Sequence, residues 1–146
     1  HSNAEQQAEA ARPAALKLAI DASIKLADNF PTHPQAVTAL TRAAQDLYEL
    51  KDTQAVTVAQ RVLAYQPPPT SAQRKIVQGV LGDSYFAQGD FPRAETAYAD
   101  LLKLTAINDP ERAQVVEQLA ASIYKQAEAA RTAGDLRTAA KMLGLA

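Results

Sequence analysis

Between Leu81 and Tyr98 the chain reads Leu-Gly-x-x-Tyr at 81–85, Gly-Asp at 89–90 and Ala-x-x-x-Tyr at 94–98. Each piece has a geometric role. Gly82 carries no side chain, so a second helix can approach it, and Tyr85 fills the space one turn later. Gly89 ends the first helix, since glycine takes the left-handed conformation that closes a helix without steric cost. Ala94 and Tyr98 are then the small and large contacts of the returning helix. The spacing predicts two antiparallel helices in close contact.

Composition extends that prediction to the whole chain. Of 146 residues, 32 are Ala, five are Gly and none is Trp. Alanine favours the helical backbone and loses no rotamer freedom there, so the expected fold is all-α. The net charge is −1, with 15 basic and 16 acidic residues intermixed. Without a basic stripe, no nucleic-acid partner is expected. No apolar run is long enough to cross a bilayer, so no direct membrane insertion is expected. The absence of cysteine excludes disulfides, thiolate metal sites and thiol nucleophiles, and it suits a reducing or an oxidising compartment equally. His1-Ser2-Asn3-Ala4 reads as an expression-tag remnant at 1–4. Residues 5–146 are treated as one helical domain.

Helix starts and stops are legible. Thr32-His33-Pro34-Gln35 and Thr70-Ser71-Ala72-Gln73 read as capping boxes, in which Thr accepts from the third amide and Gln reaches back to the cap amide. Asp109-Pro110-Glu111 is a third start. Stops fall at Phe30-Pro31, Gln66-Pro67-Pro68-Pro69, Gly89 and Gly134. These marks give about seven helices, at roughly 5–29 (with a break at Pro13 as an alternative), 33–50, 53–66, 71–88, 91–105, 110–133 and 135–145. Apolar residues recur at helical spacing through Leu16, Ala19, Ile20, Ile24 and Ala27, and again through Val116, Leu119, Ala120, Ile123, Ala127 and Ala130.

The turns also repeat. Gly89-Asp90-Phe91-Pro92-Arg93-Ala94 recurs as Gly134-Asp135-Leu136-Arg137-Thr138-Ala139, and a weaker copy is Lys51-Asp52-Thr53-Gln54-Ala55. Pro31 and Pro67 stand close to one tetratricopeptide period (~34 residues) apart. With the spacing of Tyr85 and Ala94, these features resemble the tetratricopeptide repeat (TPR). The resemblance covers most of 14–146, as repeats at about 5–31 (partial), 33–67, 71–105 and 110–146. Two departures stand: Gln78 occupies the family's Trp position, and the helix starting at Pro110 is about two turns too long. The resemblance implies an α-solenoid of antiparallel helix pairs, about three and a half repeats, with a right-handed superhelical sense. Both ends read as cut in mid-array, as in a fragment of a longer chain.

No catalytic constellation is legible. His1 lies in the tag segment and His33 beside a helix cap, and no HExxH, GxSxG, Walker or GxGxxG pattern occurs. Neither an enzyme nor a cofactor or metal is expected. In the family, the first helix of each pair lines a concave groove. Taking Tyr48, Tyr85 and Ala130 as equivalent, the resemblance points Arg42, Asp46 and Glu49 into the groove from the first pair. It adds Asp83 and Phe86 from the second, and Tyr124, Glu128 and Arg131 from the third. Asp46, Asp83 and Glu128 share one pattern position. A line of three carboxylates suits a partner with basic or amide-donor groups; the alternative is that acids fall there by chance. The places where carboxylate-clamp repeats carry Lys and Asn hold Arg42/Asp46, Gly79/Asp83 and Tyr124/Glu128, which argues against that subtype. Gly82, Tyr85, Ala94, Tyr98, Gly134 and Ala139 are assigned to the core.

The expected function is therefore a non-catalytic scaffold that receives a peptide or helix of a partner protein in its groove. The alternative is a structural spacer or self-association module that dimerises through its end helices. Alanine-rich segments with Pro-punctuated linkers resemble those of bacterial cell-envelope assembly proteins, which favours the periplasm over the cytoplasm as the compartment.

Overall fold

Thr70 opens the best-marked helix. Its hydroxyl accepts from the Gln73 amide at 3.1 Å, and the Gln73 side chain accepts from the Thr70 amide at 2.9 Å. Two of the orphan donors of that first turn are thereby satisfied. The same Gln73 side chain donates to Thr38 Oγ1, so the cap also ties this helix to an earlier one. The computed structural model describes residues 2–144; the expectations for His1 and for the last residues of the 135–145 helix and the 110–146 repeat lie outside them.

Six helices form among the described residues: α1 (Ser2–Asn29), α2 (Ala36–Glu49), α3 (Gln54–Leu63), α4 (Ser71–Ala87), α5 (Phe91–Leu104) and α6 (Arg112–Met142). No strand occurs among them, and the fold is all-α. Each helix packs on its chain neighbours, and α2 also packs on α4. Ile20 and Ala27 of α1 join a core formed with α2, α3 and α4, around Leu40, Ala44, Val62 and Val77. A second core of Ala94, Tyr98, Leu101 and Val115 lies between α4, α5 and α6. Tyr85 packs against both.

The α2–α3 and α4–α5 connections are built alike. Gly89 has φ +77° and Lys51 has φ +57°. At the first turn, the Asp90 amide donates to the Tyr85 carbonyl; at the second, the Asp52 amide donates to the Leu47 carbonyl. Both satisfy the last carbonyls of a helix through a left-handed residue. The Gly82 expectation also holds: a methyl group there would lie 2.5 Å from the Tyr98 ring.

Four expectations are corrected. The box at Thr32 does not form; Gln35 precedes α2 with no side-chain cap, and His33 Nδ1 accepts from the Gln35 amide instead. Pro13 does not break α1; the Glu9 carbonyl that loses its partner there lies on an exposed stretch that water can satisfy. Gly134 does not stop a helix, because α6 continues through it and replaces the expected pair 110–133 and 135–145. A lone glycine weakens a helix without ending it when no tertiary contact asks for a turn. Consistent with this, Gly134 and Ala139 are exposed and not core. On the same helix, Val115 and Ser122 are buried, while Val116 and Ile123 remain about half exposed.

Candidate functional site

Asp83 of α4 lines two cavities that residues of α2 and α6 also line. It lies one residue after Gly82, so the close approach of α5 at Gly82 brings Tyr98 beside it. The Tyr98 hydroxyl donates to Asp83 Oδ1 at 2.5 Å, and Gln118 Nε2 of α6 donates to the same oxygen at 3.2 Å. Among the described residues no Lys or Arg pairs with it. Burial raises its carboxyl above the ordinary carboxylate range, and the Tyr98 hydrogen bond only partly offsets this. The Tyr98 phenol is pushed up in turn, by burial and then by Asp83. Tyr48 of α2 is also raised, by burial first and by Asp83 second.

Two cavities meet at this carboxylate. One, of about 590 Å³, runs from Gln45 and Tyr48 across Ile76, Gly79 and Asp83 to Gln114 and Gln118. The other, of about 280 Å³, adds Phe86 and Ala121 to the Tyr48, Asp83 and Gln118 they share. Phe86 is fixed edge to face on Phe91, with ring centroids 5.0 Å apart. Lys75, which also lines the larger cavity, is paired with Asp109 at 3.2 Å. The lining thus offers carboxamides, phenols and the carboxylates of Asp83 and Glu111 among mostly apolar side chains.

Of the predicted site residues, the structure brings only Asp83 and Phe86 together here. Asp46 is nine-tenths buried among Arg42, Glu49 and Arg12, and burial raises its carboxyl above the ordinary range. Glu49 is engaged by Arg12 of α1, which donates to both carboxylate oxygens at 2.7 and 2.9 Å. Tyr124, Glu128 and Arg131 share a separate hollow of about 240 Å³ on the exposed part of α6. Glu128 is paired with Lys125 at 3.7 Å. The three acids therefore do not form a line.

The cause is register. Val77 and Ser84 of α4 recur as buried Val115 and Ser122 in α6, 38 residues on, so Ala121 and not Glu128 corresponds to Asp83. Alignment on Gly134-Asp135 carried the count too far; the start signal at Asp109-Pro110 marks the correct one. Gln114 and Gln118 were missed for the same reason, since the α6 residues that line these cavities follow from that start; Tyr48 was used as a reference position of the count and not weighed as a lining residue. Among the described residues no group of His, Cys, Asp and Glu could hold a metal, and no helix is long and apolar enough to cross a membrane. No family model, curated protein or solved structure matches this chain.

Proposed function

We propose that the chain is a non-catalytic interaction scaffold, a tetratricopeptide-like α-solenoid that receives a peptide or helix of a partner protein along its concave face. The packing of each helix on its neighbours, with α2 also on α4, supports the solenoid reading. So do the matched left-handed turns at Lys51 and Gly89. The helix pairs are α2–α3 and α4–α5, flanked by α1 and the first half of α6. The observation that carries the functional reading is the half-buried Asp83 with no cationic partner among the described residues, set between cavities of about 590 and 280 Å³. Such a carboxylate favours a ligand that brings a cation or an amide donor.

The test is selection of random displayed peptides on the protein, followed by measurement of each enriched peptide on Asp83→Lys and Glu128→Lys variants. Loss on the first and retention on the second supports the groove. Equal retention by two folded variants moves the ligand elsewhere.

A second reading, a spacer or self-association module of a larger bacterial envelope protein, is favoured by the exposed Val116, Ile123 and Tyr124 along α6. It predicts a dimer whose concentration dependence is abolished by Ile123→Glu, measured by sedimentation velocity.

A further inference from the structure

Gly79 sits inside α4, eight residues after its start and eight before its end. Glycine there weakens the helix relative to alanine. Two structural reasons commonly account for such a residue, and neither applies. Its backbone is not in the left-handed region. A methyl group added to it would meet only Leu101 Cδ2, at 3.9 Å, which is ordinary van der Waals contact. Gly82, one turn away, is the contrast, because there the Tyr98 ring forbids a side chain. Nothing inside the fold requires Gly79 to lack a Cβ. It lines the larger cavity, where the missing side chain bares the α4 backbone to whatever enters.

Resting on the groove reading above, we propose that the occupant is an extended peptide carrying a small residue (Gly, Ala or Ser) over Gly79 and a basic residue two positions away at Asp83. The spacing follows from geometry. Gly79 and Asp83 are four residues apart on one helix, a rise of ~6 Å. In an extended chain, side chains two apart point the same way and stand ~6.6 Å apart. The walls fit the rest of such a chain. Gln45, Gln114 and Gln118 present primary amides that both donate and accept, as does each residue of an extended backbone. A helical ligand has its backbone groups satisfied internally and makes no use of them. Both hydrogen bonds to Asp83 fall on Oδ1, which leaves Oδ2 to accept from the ligand's cation.

The experiment synthesises the peptides enriched by display and measures their affinities for the parent protein, Gly79→Ala and Asp83→Asn. The expected sequences contain small-x-basic or basic-x-small. Gly79→Ala melts at a higher temperature than the parent yet binds at least ten-fold more weakly. Replacing the basic residue by norleucine weakens binding to the parent and leaves binding to Asp83→Asn unchanged. Peptides that depend on Asp83 but bind Gly79→Ala as well as the parent, or that lack the spaced pair, overturn this inference and leave the groove reading standing. Peptides indifferent to both variants, or no enrichment at all, overturn both.

Discussion

Three residues show how the local chemistry sets the fold and the site. Gly82→Ala places a methyl group 2.5 Å from a Tyr98 ring that is itself buried and hydrogen-bonded. The ring cannot swing away without losing Asp83, so the variant is expected to lose about 1–3 kcal/mol in urea unfolding. Lys51→Gly acts in the opposite sense. It relieves a φ of +57°, and a gain of ~1 kcal/mol is expected in the same assay. Asp83 predicts a pH dependence. Its folded carboxyl is raised above the ordinary range, mainly by burial, so the folded state holds that proton more tightly than the unfolded chain. Its contribution to stability is full below the unfolded pKa (~4) and is lost as pH rises through the folded value. Asp83→Asn keeps an oxygen to accept from Tyr98 and removes the buried charge. It is expected to melt above the parent at pH 7, with the gap closing as the pH is lowered below 4.

At the scale of the element, legibility tracked how much of each helix its neighbours occupy. The Thr70 box, the Gly89 stop and the Gly82–Tyr98 contact were readable because each is local or is fixed by a steric demand that one residue type meets. Thr32 carries the same letters as Thr70, but His33 takes the capping amide instead. Gly134 carries the same letters as Gly89, but among the described residues no helix returns against α6 beyond it to make a turn favourable. Packing of α6 ends near Gln126, whose side chain donates to Glu95 at 2.7 Å; from Ala127 to Ala139 every residue is exposed. An exposed helix end frays at little cost. Amide hydrogen exchange is therefore expected to be slow in α6 up to about Gln126 and much faster after it. Uniform protection along α6 would show that something covers its distal half in solution.

For the whole molecule, the all-α class was readable from composition, whereas of the expected groove residues only Asp83 and Phe86 come together. Asp83 and Phe86 lie in the one repeat with complete punctuation. Glu49 was lost to Arg12 of α1, a contact between residues 37 apart that no local pattern encodes, and Asp46 was lost to burial. Glu128 was lost to a register error that only the burial of Val115 and Ser122 reveals. What remains is the half-buried Asp83 amid phenols and carboxamides, with Glu111 and Lys75 lining the same cavity, not an acidic ladder. Asp83, which no Lys or Arg pairs among the described residues, asks for a cation there, and the rest of the ligand is recognised by shape and backbone.

The measurement that bears most directly on this account is amide chemical-shift mapping of the protein titrated with an enriched peptide. Changes concentrated at Tyr48, Gly79, Asp83 and Gln118, on three different helices, are predicted. Changes confined to the exposed part of α6, around Tyr124 and Arg131, would contradict the groove as the ligand site.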